Sequence, residues 1–166
     1  LAYGERGFPG SIPARSNLVF DMDLLSVVRG VPPVPVPDFV LPGDEQLTTT
    51  ASGLQYMVVE QGSGPSPLST DKVTVHYAGW LTNGKGFDNS YQRGEPSSFG
   101  LRQVIAGWTE GLALMSVGAT YIFVIPYELA YGAGGRPPTI PPKSTLVFRV
   151  ELLSILDPRE TYPTSR

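Results

Sequence analysis

Apolar and polar positions alternate most clearly over Lys72 to Leu81, where Val73, Val75 and Tyr77 share one face and Thr74 and His76 the other. A period of two predicts a half-buried strand. Leu54 to Glu60 alternates more loosely and predicts another strand, broken by Gly62-Ser63-Gly64-Pro65. Asn83-Gly84 is a strong hairpin signal because both residues tolerate positive φ. Phe87-Asp88 starts the return strand, which the polar stretch Asn89 to Glu95 interrupts before Ser97-Ser98-Phe99 resumes it. The period then changes. Within Val104 to Met115, Trp108, Leu112 and Met115 stand at i, i+4 and i+7, one face of an apolar helix too short to hold without packing. Gly118 is expected to end that helix. Ala119 to Ile125, closed by Pro126, and Ser144 to Ile155 complete the strands, with a Gly/Pro-rich loop from Tyr131 to Pro142 between them. The expected fold class is α+β, an antiparallel five-stranded sheet wrapped over one short helix, within 50–156. A polar tail, 157–166, follows.

Self-comparison sets the organisation upstream. Residues 1–28 align without a gap on 129–156, with 15 of 28 positions identical, among them Leu1-Ala2-Tyr3-Gly4 on Leu129-Ala130-Tyr131-Gly132 and Leu18-Val19-Phe20 on Leu146-Val147-Phe148. So dense a repeat predicts that 1–28 is the C-terminal remnant of a preceding domain of the same kind. A strand without a sheet is unstable in water. The segment is therefore expected to be disordered or to borrow partners, and 18–27 could displace 146–155 in a domain swap. Residues 29–49 read as a linker, because the prolines of Val31-Pro32-Pro33-Val34-Pro35-Val36-Pro37 favour a stiff polyproline II spacer. Pro32 and Pro35 also have PxxP spacing, a weak signal for a polyproline-binding partner.

Composition removes several chemistries. Lys+Arg 12 against Asp+Glu 15 gives a net charge of −3 with no basic run, which argues against nucleic acid as a partner. There is no cysteine, hence no disulfide, thiolate metal site or cysteine nucleophile. His76 is the only histidine and reads as a strand residue, so neither a multi-histidine metal site nor a serine triad is expected. Gly132-Ala133-Gly134-Gly135 lacks the lysine of a phosphate loop. Asp88 has no evident acidic mate for glycoside chemistry. No apolar run approaches the ~18 residues of a membrane-spanning helix.

What remains is aromatic: Tyr77, Phe87, Phe99, Trp108, Tyr131 and Phe148. Each alone is an ordinary core residue. Together, with Asp88 directly after Phe87 and Tyr131 opening an exposed loop, they suggest an aromatic-lined pocket. The helix would cross the sheet with Trp108 at the pocket floor and Ile105 at its rim.

Four stretches carry a resemblance: Val75-His76-Tyr77-Ala78-Gly79, Gly86-Phe87-Asp88-Asn89-Ser90, Val104-Ile105-Ala106-Gly107-Trp108, and Leu129-Ala130-Tyr131-Gly132 through Ile140-Pro141-Pro142 to Leu146-Val147-Phe148. In order and spacing they resemble the FKBP-type peptidyl-prolyl isomerases along roughly 50–156, and the repeat at 1–28 resembles the end of the same domain. The whole is similar to a tandem protein of bacterial style, of either cytoplasm or periplasm and cell envelope. The resemblance implies an isomerase of X-Pro bonds that uses no cofactor and no metal, with proline-containing polypeptides as partners. A non-catalytic chaperone or scaffold module using the same groove is the alternative. By resemblance, Asp88, Tyr131, Trp108 and Ile105 would serve catalysis. Trp108 would be the floor, and Tyr77, Phe87, Arg93, Phe99, Val104, Ile140 and Phe148 would bind the substrate. The Tyr131 hydroxyl and the Ile105 N–H would hold substrate carbonyls. Asp88 would lie beside the twisting amide, held by Tyr77 and Arg93. The loop from Ala133 to Ile140 would fold over the site. Two departures make the mouth more polar: Ser97 stands where many members carry an aromatic, and Thr139 where an aliphatic is common. Macrolide immunosuppressants are therefore expected to be weak ligands at most.

Overall fold

The computed structural model describes residues 34–156, all within the larger of the two units into which the chain divides, 32–166. The expectations for 1–28 and for the tail fall outside the described residues. One sheet dominates. It contains β1 (Thr48–Thr49), β2 (Gln55–Glu60), β3 (Lys72–Leu81), β4 (Gly86–Asn89), β5 (Ser97–Gly100), β6 (Thr120–Ile125) and β7 (Leu146–Leu156), in the order β1-β2-β6-β7-β3-β4 with β5 also on β3. Every pairing is antiparallel. One helix, α1 (Ala106–Leu114), packs on it. The expected α+β architecture, a single helix under an antiparallel sheet, is what forms.

The seven segments reduce to the expected strands by a simple count. β4 and β5 run along the same edge of β3, opposite Ala78–Trp80 and Lys72–Val75, so they are one strand interrupted by Ser90–Pro96. Only β1, a two-residue edge pairing with Gln55 and Tyr56, is additional. β3 matches its predicted bounds, and its alternation is real: Val73, Val75 and Tyr77 are buried, Thr74 and His76 only partly so.

Helix α1 differs from expectation at its end. It stops at Leu114, because Met115 is already extended at φ −87°, ψ 157°. Gly118, at φ 92°, belongs to the turn entering β6, where a left-handed backbone suits glycine. The predicted face holds, with Trp108, Leu112 and Met115 all buried. What brings the helix so close to the sheet is a second stripe. A Cβ on Gly107 would lie 2.5 Å from Ile125 Cγ2, and one on Gly111 2.6 Å from Phe123 Cε1. Only glycine permits that approach at either position.

All six residues of β6 are buried, because the sheet is covered on both sides. Tyr121, Phe123 and Ile125 join the core under the helix. Ile122 and Val124 face the other way, with Val147, and are covered by Phe39, Leu47 and Met57. Phe39 also stands edge-on to Trp80, with ring centroids 5.8 Å apart. Residues that follow the proline run thus pack against the back of the sheet.

Candidate active site

Between the helix, the sheet and the Tyr131–Pro142 loop lies a cavity of about 790 Å³. That volume suits a few residues of peptide or a small ligand. Trp108, only 4% exposed, forms its floor. Three rings stand nearly perpendicular to the indole: Tyr77 at 5.1 Å and 86°, Phe148 at 5.3 Å and 83°, Phe99 at 5.5 Å and 87°. Edge-to-face packing places the positive edge of one ring on the negative face of another and holds each in one orientation. Phe87 extends the wall by the same geometry on Phe148, at 5.4 Å and 88°. Space for this pair comes from Gly79, where a Cβ would fall 2.6 Å from Phe148 and 2.8 Å from Phe87.

The polar side of the cavity is a three-residue clamp. The Tyr77 hydroxyl donates to Asp88 Oδ2 at 2.5 Å. Arg93 Nη1 donates to Asp88 Oδ1 at 2.7 Å. Arg93 Nη2 donates to the Tyr77 hydroxyl at 2.9 Å and to Ser97 Oγ at 3.0 Å. The carboxylate therefore has one oxygen on a phenol and the other on a guanidinium. Burial, followed by the bond to Asp88, pushes the Tyr77 hydroxyl up to about 12, against the opposing pull of Arg93. Hydrogen bonds to Tyr77 and Asp88 raise Arg93 in turn. Strand register sets this arrangement, since Asp88 sits opposite Gly79 and two residues from Tyr77 along β3.

Ser90, fully buried, locks the exit of β4 onto β3. Its Oγ accepts from the Tyr77 N–H at 2.9 Å, and its own N–H donates to the Tyr77 carbonyl at 2.9 Å. His76 Nδ1 meets the same hydroxyl at 2.8 Å, and its ring stacks on Tyr91 at 4.8 Å. His76 is a strand residue with a positioning contact.

Several donors at the cavity are free among the described residues, the buried Trp108 Nε1 of the floor among them. The Tyr131 hydroxyl and the Ile105 N–H, at the helix N-cap, have no hydrogen-bond partner there. Over them folds a flap closed by a two-bond bridge, Arg136 N–H to Ile140 O at 2.8 Å and Ile140 N–H to Arg136 O at 3.0 Å. Ile140 is buried beneath it.

Of the residues singled out from the sequence, Asp88, Tyr131, Trp108 and Ile105 all line this cavity. So do Tyr77, Phe87, Phe99, Val104, Ile140 and Phe148. Arg93 does not. It lies beside an adjoining depression of about 310 Å³ and reaches the cavity only through Asp88 and Tyr77. Gln103 lines the cavity without any warning from the sequence, since it is a lone polar residue in a loop. Ser90 ends the motif Gly86-Phe87-Asp88-Asn89-Ser90, and its bonds span a strand pair that no local pattern reveals.

The family profile described as FKBP-type peptidyl-prolyl cis-trans isomerase matches residues 64–153. The chain is 54% identical over 112 residues to the FKBP-type 22 kDa peptidyl-prolyl cis-trans isomerase of Escherichia coli, covering 68% of this chain and 54% of that one. It is 53% identical over 114 residues to the isomerase FkpA of Aeromonas hydrophila, covering 69% and 42%. The chain thus spans about half the length of the curated relatives it matches. Among solved structures, FkpA from Escherichia coli superposes with a TM-score of 0.65 at 54% identity, covering 68% of this chain and 52% of that one. A peptidyl-prolyl cis-trans isomerase from Pseudomonas syringae gives 0.64 at 38% identity, covering 68% and 82%.

Proposed function

The chain belongs to the FKBP-type peptidyl-prolyl cis-trans isomerase family, and from that premise we propose that it accelerates rotation about X-Pro bonds in polypeptides. The observation that carries this reading is the Trp108-floored cavity with the Asp88 clamp at its side and two unengaged donors at its rim. The rotation barrier comes from amide resonance and stands near ~18–20 kcal/mol. Twisting the bond ends the resonance and returns electron density from the carbonyl oxygen to nitrogen. A site that fits the twisted form and excludes water lowers the barrier with no nucleophile and no proton transfer. Each decade of rate needs about 1.4 kcal/mol. A few decades thus ask for only several kcal/mol of preference for the twisted amide. An aromatic cup and one or two hydrogen bonds are enough.

The proline ring sits on Trp108. The Tyr131 hydroxyl and the Ile105 N–H hold carbonyls on either side of the rotating bond. Asp88 places a fixed negative charge beside the amide, and Arg93 positions it. The chemistry calls for no cofactor. Macrolides are weak ligands in this reading, because Thr139 makes the mouth polar; Ser97, the other departure, lies outside the cavity lining and accepts from Arg93 instead. The match of 1–28 to 129–156 supports a tandem parent protein with more than one such domain.

The test is isomerisation of a proline peptide followed by NMR exchange, with binding of the same peptide measured in parallel. Trp108→Ala and Asp88→Ala variants that remain folded should lose most of the acceleration. Rates equal to wild type would remove the reading. Binding without acceleration by the wild type would instead favour a holding module.

A further inference from the structure

Two charged side chains line the cavity, Asp88 and Arg136. Their situations differ. Asp88 is neutralised by Arg93 at 2.7 Å. Arg136 has no carboxylate within ion-pair distance among the described residues. Its guanidinium carbon lies instead over the Tyr131 ring, 5.8 Å from the centroid. Its backbone is pinned by the two bonds to Ile140, so the side chain leaves the flap from a defined point. The other flap residues on the cavity, Pro137, Pro138, Thr139 and Ile140, are uncharged, as is Gln103. The net charge of the chain is −3, yet among the described residues the charge at this mouth without an ionic partner is positive.

We propose that Arg136 is a specificity-determining cation, selecting X-Pro segments that carry a carboxylate next to the proline on the side held by Tyr131. The inference rests on the isomerase reading above and names the substrate class within it. The planar guanidinium presents its N–H groups as a fork that can meet a carboxylate in bidentate fashion. Arg136 is exposed, so the effect is that of one exposed ion pair, roughly two- to fivefold. It weakens as salt shortens the screening length below the ~8 Å of physiological solution. Basic neighbours are disfavoured by a similar factor.

The experiment uses the full chain and two peptide sets, one with Glu, Gln or Lys immediately before proline, the other with the same residues immediately after. kcat/KM is read by NMR exchange and Kd by tryptophan fluorescence, at low and high salt. The expected order is Glu above Gln above Lys in one set, about two- to fivefold per step at low salt and smaller at high salt. In Arg136→Gln the Glu-to-Gln ratio should fall to one, and in Arg136→Glu it should invert. Equal values for the three peptides, or a preference that survives Arg136→Gln, overturns the inference while leaving the isomerase reading intact. Absence of turnover on every peptide removes the isomerase reading, and the preference is then judged on Kd by the same ratios.

Discussion

Replacing Tyr77 by Phe separates the polar clamp from the apolar cup, because it removes one oxygen and keeps a ring that is 4% exposed. That oxygen donates to Asp88 at 2.5 Å and accepts from Arg93 at 2.9 Å. Without it, Asp88 keeps Arg93 at 2.7 Å but can swing about that single contact. A hydrogen bond to a charged partner contributes about 1.5–3 kcal/mol when buried. Asp88 and Arg93 are each 45% exposed, so about 1 kcal/mol of positioning is the fair value here. That corresponds to roughly a fivefold fall in kcat/KM at neutral pH. The pH dependence supplies a second readout with a definite sign. In the fold the hydroxyl titrates at about 12 instead of 10.0, so the folded state holds this proton more tightly than the unfolded state. The associated stability is fully present below pH ~10 and is lost as pH rises towards ~12. Two units correspond to at most about 2.7 kcal/mol. Urea denaturation of both proteins across pH 8–12 should therefore show wild type losing more stability than Tyr77→Phe. The difference cancels other raised tyrosines such as Tyr91 and Tyr121. A folded variant with wild-type kcat/KM and a parallel alkaline profile would refute the clamp as described.

Three further outcomes are expected. Gly79→Ala drives a methyl to 2.6 Å from Phe148 and 2.8 Å from Phe87, so the cup should lose about 1–3 kcal/mol of stability and its KM should rise; unchanged Tm and KM would contradict the tight wall. Gly111→Ala sets about 1 kcal/mol of gained helix propensity against a methyl 2.6 Å from Phe123, and the clash should win, lowering the urea midpoint; a stabilised variant would show that α1 can lift from the sheet. Phe39→Ala should cost about 1–2 kcal/mol, less than for a fully buried phenylalanine, and alter Trp80 emission; an unchanged midpoint would mean that the back face needs no cover.

A site of this kind places unusual demands on the fold. Proton transfer needs two groups at matched separation, whereas a twisted amide needs a dry concave surface with a few fixed dipoles. Such a surface cannot come from one element. Here β3 supplies Tyr77, β4 Phe87 and Asp88, β5 Phe99, the helix Trp108, and β7 Phe148. The perpendicular rings make these contributions interdependent, because turning Trp108 would require three neighbours to move. That explains why glycines stand where they do. Gly79 and Gly111 let walls and floor approach to distances that any side chain would forbid. The cup is held by close contact, and in the proposed mechanism its polar groups are left to orient the substrate.

How much of this was legible in the sequence depended on the range of the interaction. Periodicity is local, and it located β3 to the residue and the buried face of α1, since each rests on neighbours two to four positions apart. Where termination depended on a distant contact, the local signal misled. Gly118 looked like a helix cap, but Met115 leaves the helix three residues earlier, on its way into the core. The cover of the back face was invisible for the same reason. Phe39 follows a proline run that favours extended chain, and nothing near it in sequence announces Trp80, 41 positions on, as its partner. Spacing alone did not connect Asp88 to Tyr77 or Arg93; a family resemblance did, because the resemblance carries the register that spacing lacks. Ser90 shows the limit even of that. It lies inside a family motif, yet its role appears only when the Tyr77 backbone is seen bonded to both its hydroxyl and its amide. A motif names the residues that meet a substrate, while the residues that hold those in place are found by following hydrogen bonds outward from them.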